Sequence, residues 1–89
     1  MSVFDLLALK GARIVLSELS KKDEARYSEL VEAVGHSTTT SRALNMMEKL
    51  GYIKREVLQE KYRPVVYSLT SRGRELSEVV ETLKQFENR

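Results

Sequence analysis

The sequence changes its hydrophobic period at Gly51, and this change constrains the fold more than any other feature. Before Gly51, apolar residues recur at every third or fourth position, as they do in amphipathic helices. After it, apolar and polar residues alternate over residues 52–58 and again over residues 65–69, as they do in half-buried β-strands. The polar loop 59–64 separates the two runs and ends in a proline. The sequence therefore predicts helices followed by a β-hairpin.

The helical part of the sequence divides into three segments. Residues 3–20 form the first, in which Gly11 allows a kink or a break. Ser28 is the expected N-cap of the second helix, and Gly35 is its expected end. The third helix is predicted over residues 37–50, with its first serine as the N-cap. These three helices precede the hairpin.

A last helix is predicted over residues 71–89, with Thr70 as its N-cap. Apolar residues follow a 3-4-3 spacing along it and give the helix one apolar face. These residues are Leu76, Val79 or Val80, Leu83 and Phe86. The order helix, helix, turn, helix, hairpin, helix is that of the winged helix-turn-helix fold. We therefore expect a mainly α structure with one β-hairpin (α+β), in a single domain over residues 1–89.

Positive charge is concentrated in the middle of the sequence, although the formal net charge is only +2. Residues 1–35 carry five basic and six acidic side chains, residues 36–74 carry eight and three, and residues 75–89 carry two and four. The three segments therefore have charges of −1, +5 and −2. A basic segment between mildly acidic flanks is expected of a phosphate-binding surface, but a solvated basic face gives the same count.

The residue types that are missing exclude several classes of function. The sequence has no cysteine, which excludes disulfides, thiolate catalysis and cysteine-ligated metals. The sole histidine, His36, has no clustered ligands or nucleophile beside it, so we expect no metal, no cofactor and no enzymatic activity. The longest apolar run, residues 6–9, is far short of a membrane span, and no signal-peptide pattern is present. We therefore expect a cytoplasmic protein without a membrane partner.

The two faces of the predicted helix 37–50 differ in chemistry. At about 100° per residue, one face carries Thr40, Ala43, Leu44, Met47 and Leu50. The other carries Thr38, Ser41, Arg42, Asn45 and Lys49, with no acid at its centre. Short polar and arginine side chains on one helix face suit the DNA major groove. Arg42 is the principal candidate for base contact, and an ion pair with Glu48 or Glu32 is its ordinary alternative.

The hairpin adds a second basic surface. Lys54 and Arg55 lie on its first strand, and Lys61 and Arg63 lie in its loop. We refer to residues 54–66 of this hairpin as the wing. A basic wing can lie along the sugar-phosphate backbone or in a minor groove. The full predicted DNA-binding set is Ser37, Thr38, Thr39, Ser41, Arg42, Asn45, Lys49, Lys54, Arg55, Lys61 and Arg63.

Several segments resemble the HxlR-type transcriptional regulators. The RYSEL segment at 26–30 is similar to the start of that family's second helix, and KREV at 54–57 with YSLTSRGREL at 67–76 resemble its wing and the start of its last helix. Residues 41–53 are also similar to the recognition helices of MarR-type and ArsR-type regulators. The resemblance covers nearly the whole sequence and implies a winged-helix DNA-binding regulator.

The sequence departs from the family pattern in three ways. The turn between Gly35 and Ser41 is one residue shorter, His36 replaces an apolar residue, and cysteine is absent. A shifted register would move the reading set toward Thr39 and Met46, although Met46 and its neighbour are expected to fill the core or an interface. The missing thiols exclude the redox and metal sensing of those families, and no effector is identified.

The apolar face of the last helix requires a covering surface, because a winged-helix core is complete after its second strand. We predict a homodimer in which the last helix meets the N-terminal helix, and the alternative is that the last helix folds back on its own domain. A two-fold dimer implies a near-palindromic site with half-site centres about 34–36 Å apart or a multiple of that. The predicted interface residues are Val3, Phe4, Leu7, Leu76, Val79, Val80, Leu83 and Phe86.

Taken together, these patterns predict a sequence-specific regulator that binds double-stranded DNA as a homodimer. The alternative from a different class is a winged-helix module that binds another protein or assembles a complex without DNA, because this fold does not dictate function. The +5 central segment favours DNA. RNA is a weaker option because the four tyrosines are scattered and form no stacking platform.

Overall fold

The fold consists of five helices and three short strands in a computed structural model that describes residues 2–88. In chain order the elements are α1 (Val3–Leu7), α2 (Lys10–Lys21), β1 (Ala25–Arg26), α3 (Tyr27–Val34), α4 (Ser37–Lys49), β2 (Ile53–Val57), β3 (Val65–Leu69) and α5 (Ser71–Glu87). The predicted helices and hairpin are therefore present, in the predicted order. No helix in the described part of the chain is long and apolar enough to cross a membrane.

The sheet has three antiparallel strands rather than the two predicted, in the order β1-β3-β2. The hairpin pairs Ile53 with Leu69 at its base and Val57 with Val65 at its tip. The added strand is only two residues long and pairs Ala25 with Tyr67. The sequence prediction missed β1 because two residues are too few to show an alternating pattern.

The first predicted helix is broken, but not at Gly11. The chain leaves the helix at Ala8 and Leu9, so α1 and α2 are separate. Gly11 lies inside α2, where a Cβ atom would come within 2.9 Å of the Thr39 side chain on α4. This glycine therefore permits close packing of α2 on α4 instead of a kink.

The predicted N-caps of the second and third helices are also wrong by one or two residues. Arg26 and His36 occupy the cap positions, and neither provides a side-chain cap for its helix. At α3 the Glu29 carboxylate instead accepts a hydrogen bond from the Arg26 backbone N–H at 2.9 Å, which stabilises the first turn. The predicted end at Gly35 is confirmed, because this residue has a left-handed φ of 100°.

The hydrophobic core is built around α2, which packs against α1, α3, α4 and α5. The helix contributes Val15, Leu16 and Leu19, all at most 3% exposed. Two buried tyrosines, Tyr52 and Tyr67, connect this helical core to the sheet. The remaining buried apolar residues of the cluster are Leu6, Ala12, Ala25, Leu30, Ala43, Leu44, Met47, Ile53, Leu69 and Leu76.

A hydrogen-bonded joint connects the end of α4 to the start of α5. Thr70 caps α5 as predicted, because its hydroxyl oxygen accepts the Gly73 N–H at 3.1 Å. The same hydroxyl donates to the Gly51 carbonyl at 2.6 Å, and the Thr70 N–H donates to the Tyr52 carbonyl at 3.1 Å. Gly73 is required at this joint because a Cβ atom there would overlap the Tyr52 carbonyl oxygen. The start of α5 is therefore held tightly against the residues that follow α4.

The last helix packs on the domain at its start and extends away from it at its end. Leu76 is 8% exposed and belongs to the core, and Val80 packs partly against it. From residue 81 to residue 88 every residue is exposed, and the structure measures 48 × 24 × 24 Å. The C-terminal half of α5 is therefore an exposed arm, although Glu81 and Lys84 on it still line clefts together with α2.

Candidate nucleic-acid interface

The polar face of α4 lies on the surface of the domain, as predicted. Thr38, Arg42, Asn45 and Lys49 are all exposed and, with Met46, line a shallow depression of about 400 Å³. On the opposite face, four of the five predicted residues, Thr40, Ala43, Leu44 and Met47, are at most 3% exposed, and the fifth, Leu50, is half-buried. The helical period therefore separated the two faces of α4 correctly.

Arg42 has no acidic partner in the described part of the chain. The ion pair observed within residues 2–88 joins Lys22 to Glu29 at 3.2 Å, and neither Glu48 nor Glu32 lies within 4.0 Å of the Arg42 guanidinium. The alternative of an ion pair on the surface of α4 is therefore not observed. The five guanidinium N–H donors of Arg42 remain available to an external acceptor.

Other predicted residues of α4 are engaged within the domain. The hydroxyl oxygens of Ser41 and Tyr27 are 2.7 Å apart, and the Tyr27 hydroxyl also donates to the Ser37 carbonyl at 3.4 Å. The methyl group of Thr39 faces Gly11 of α2. Ser41 and Thr39 thus hold α4 against α3 and α2, whereas Thr38, Arg42 and Asn45 point outward.

The basic residues of the wing are divided between its two faces and its tip. Neighbouring strand residues point to opposite faces, so Lys54 lies on the face of its partner Ser68, and Arg55 lies on the face of Tyr67. At the tip, the Lys61 ammonium lies 5.7 Å from the centre of the Tyr62 ring. Arg63 adopts a left-handed φ of 45° beside it. Lys54 and Arg55 therefore face opposite sides of the hairpin, as the alternating pattern of a strand requires.

A groove of about 470 Å³ separates the wing from the start of α3. Arg26, Tyr27 and Ser28 line one side of it, and Arg55 and Pro64 lie on the wing side. Arg26 and Ser28 were not predicted as part of the interface. The RYSEL segment that carries both residues predicted only the start of a helix, and nothing in the sequence indicated that the wing would lie beside it.

The first turn of α3 carries a carboxylate whose charged form is stabilised. The backbone N–H of Arg26 donates to Glu29, and the Lys22 ammonium lies 3.2 Å from the same carboxylate. The backbone hydrogen bond and then Lys22 lower the pKa of Glu29 below its ordinary value of 4.5. Glu29 therefore remains charged at neutral pH and fixes the position of Arg26 at the groove.

The predicted dimer residues fall into two groups. Phe4, Val79, Leu83 and Phe86 are apolar side chains that are between 54% and 79% exposed. Val3, Leu7 and Val80 are partly buried against the core of the same chain. Leu76, at 8% exposure, belongs to the core and offers little surface to a partner.

A three-stranded sheet with a basic wing, packed beside an exposed polar helix that follows a short turn, defines the winged helix-turn-helix class of proteins. The sequence profile of the HxlR-like helix-turn-helix family matches residues 6–89. The chain belongs to this family of helix-turn-helix transcriptional regulators.

Known proteins of this class are similar to the chain in sequence or in fold. An uncharacterized HTH-type transcriptional regulator from Synechocystis sp. is 42% identical over 80 residues, which cover 88% of this chain but only 58% of that protein. The reduced form of the transcriptional regulator YodB from B. subtilis has a TM-score of 0.83 at 23% identity, over 94% of this chain and 83% of YodB. A MarR-family regulator from Enterococcus faecalis has a TM-score of 0.85 at 26% identity, over 94% of this chain and 77% of the other.

Proposed function

We propose that this chain is a sequence-specific transcriptional regulator that binds double-stranded DNA as a homodimer in the cytoplasm. The observation that carries the proposal is the outward face of α4, where Thr38, Arg42, Asn45 and Lys49 are exposed. Within residues 2–88, no acidic side chain forms an ion pair with Arg42 or Lys49. Membership of the HxlR-like family supports the same conclusion.

Base recognition is assigned to Arg42 and Asn45. An arginine fork can donate two hydrogen bonds to the O6 and N7 atoms of guanine, and an asparagine amide can pair with the N6 and N7 atoms of adenine. The two side chains are three residues apart on α4 and line the same surface depression. Because no ion pair holds Arg42 within the described chain, its guanidinium does not have to leave a partner before it contacts a base.

Phosphate contact is assigned to the wing and to the groove beside it. Lys61 and Arg63 lie at the exposed tip of the hairpin, where they can reach the backbone or a minor groove. Arg55 and Arg26 line the groove between the wing and α3. Tyr27 lines this groove and also hydrogen-bonds to α4, so the groove directly adjoins the recognition helix. These contacts position the protein on DNA without reading its sequence.

Dimerisation is assigned to the exposed apolar surface of α5 and α1. Val3 and Val79 line one shallow groove, so the apolar residues of the two helices are on the same side of the domain. Leu83 and Phe86 continue this surface along the exposed arm of α5, and both are more than half exposed. An arm of about two heptads is too short to pair stably by itself, so α1 adds the remaining area. A second copy of the chain is the occupant that this self-complementary surface favours.

The test is selection from random duplex DNA, followed by measurement of affinity for the selected site over a range of salt concentrations. We expect enrichment of a near-palindromic sequence and an affinity that falls linearly with salt on logarithmic axes. A duplex of scrambled sequence is the control and should bind more weakly. If no sequence is enriched and binding does not depend on salt, the proposal is wrong and a protein-interaction module is favoured.

A further inference from the structure

A basic groove runs between α2 and α5 on a part of the surface that the proposed DNA contacts do not use. It consists of two adjoining clefts of about 340 and 360 Å³, both open to solvent, which share Arg13, Ser17 and Lys84. Lys21 lies at one end and Lys10 at the other. We refer to this surface as the α2–α5 groove. Clefts of this size accommodate small-molecule ligands.

The groove carries a surplus of positive charge that the described chain does not neutralise. Four basic side chains line it, and Glu81 is the acidic one. None of these groups takes part in an ion pair within 4.0 Å in residues 2–88. Four cations gathered around one concave surface repel one another, so an anion that enters the groove gains attraction from several of them at once.

The walls of the groove also provide apolar contact and hydroxyl groups. Ile14 and Val80 are partly buried apolar residues on the two helices. Ser17 and Ser77 are partly buried and place a hydroxyl group on each side. A surface with an apolar part, neutral hydrogen-bonding groups and converging cations suits an organic anion better than a simple inorganic ion.

The α2–α5 groove and the proposed dimer surface lie on opposite flanks of α5. Leu76 and Val80 mark the stripe of α5 that faces the core. At about 100° per residue, Ser77 and Lys84 fall on one flank of this stripe, and Leu83 with the other exposed apolar residues falls on the opposite flank. A second copy bound through the apolar flank therefore leaves the groove open.

We infer that the α2–α5 groove is a binding site for a small organic anion, whose carboxylate or phosphate group contacts Arg13 and Lys84 while its apolar part lies on Ile14 and Val80. An anion bound there could change DNA binding through α2. This helix carries the groove on one side and packs against α4 through Gly11 on the other. That regulatory role rests on the proposed function, whereas the binding itself does not.

The binding experiment uses the purified chain without DNA and follows its amide resonances by NMR. Benzoate and phenyl phosphate are the probes, and benzamide is the neutral control. We expect saturable shifts centred on residues 13–17 and 77–84 with at least one of the anions, and at least about tenfold weaker binding of benzamide because it lacks the charge. The absence of saturable shifts with both anions, or equal binding of benzamide, overturns the inference.

Paired variants locate the site. Arg13→Gln combined with Lys84→Gln removes two groove cations and should weaken anion binding at least about tenfold. Lys22→Gln combined with Arg74→Gln removes two exposed cations that lie outside both the groove and the proposed DNA contacts, and should leave anion binding unchanged. All four side chains are exposed, so the fold should persist in both, which circular dichroism checks. Equal weakening by both pairs overturns the inference.

The two proposals fail separately in these measurements. A chain that selects a DNA site but binds neither anion contradicts only the groove. A chain that binds an anion in the groove but selects no DNA contradicts only the proposed function.

Discussion

The hydroxyl of Tyr27 on α3 lies 2.7 Å from the hydroxyl of Ser41 on α4. The same tyrosine lines the groove beside the wing and contacts the Ser37 carbonyl at the start of α4. One side chain therefore connects the helix that borders the phosphate groove to the helix that carries the base-reading face.

Removal of this hydroxyl should loosen the contact between α3 and α4. Tyr27→Phe deletes the hydrogen bonds to Ser41 and Ser37 and should lower the free energy of unfolding by about 1 kcal/mol. Chemical denaturation measures this change. Tyr62→Phe is the matched control, because Tyr62 is 85% exposed at the wing tip and should leave stability unaltered. Equal stability of the two variants would contradict a structural role for the Tyr27 hydroxyl.

Arg42 should determine sequence specificity more than overall affinity. Arg42→Ala is expected to cost about 1–3 kcal/mol at the selected site and much less on unrelated duplexes. Arg74→Ala removes an exposed arginine from α5 and should leave this discrimination intact. Binding to both duplexes by the purified variants gives the comparison. A similar loss on both would mean that Arg42 contacts only the backbone.

The wing should contribute to binding on any sequence. Lys61→Ala and Arg63→Ala should weaken all duplexes to a similar extent, and each should reduce the salt dependence by roughly one unit of slope if it contacts one phosphate. Gln59→Ala in the same loop removes no charge and should leave the slope unchanged. A double variant with the wild-type slope would exclude the wing tip from the DNA interface.

Leu83 should be needed for pairing of two chains and not for folding of one. It is 54% exposed, so Leu83→Asp leaves the core of the single chain intact. At a dimer interface the same change would bury an unpaired carboxylate, so the dimer should dissociate and operator binding should weaken. Gln85→Asp on an exposed face of the same helix is the control. Sedimentation would disprove the assignment if the wild-type chain were monomeric at micromolar concentration, or if the variant remained dimeric.

Glu29 should make the stability of the domain depend on acid pH. Its pKa in the folded chain is lowered by the Arg26 backbone N–H and by Lys22, whereas the unfolded value is near 4.5. The carboxylate therefore stabilises the fold fully above this value, and the contribution is lost as pH falls through the lower folded pKa. Glu29→Gln should show a smaller decrease in the free energy of unfolding between neutral and acid pH. Glu32→Gln, exposed on the same helix, should behave like wild type.

The parts of the structure that have a regular period could be predicted from the sequence. The two faces of α4 and the pairing of β2 with β3 follow directly from periods of 3.6 and 2. The start of α3 could not be located in this way, because Ser28 is a better N-cap residue than Arg26. The helix begins two residues earlier than this signal predicts, and the Tyr27 side chain in its first turn contacts Ser41 of α4, which is visible only in three dimensions.

The interface residues show a second limit of the sequence. Leu76 and Leu83 belong to one apolar pattern, yet Leu76 is in the core and Leu83 is more than half exposed. The helical period places both on similar faces but does not show where α5 leaves the domain. Arg26 and Ser28 were missed for a related reason, because the wing that completes their groove is separated from them by about thirty residues of sequence.

The joint at Thr70 has a consequence for how far apart two bound α4 helices can lie. One hydroxyl group ties the carbonyl after α4 to the first turn of α5, so the two helices cannot change their angle without breaking that link. In a pair of chains joined through α5, the length and tilt of this helix therefore set the distance between the two α4 helices. DNA repeats about every 34 Å, so the joint, rather than any residue that contacts a base, determines which operator spacings the pair can fit.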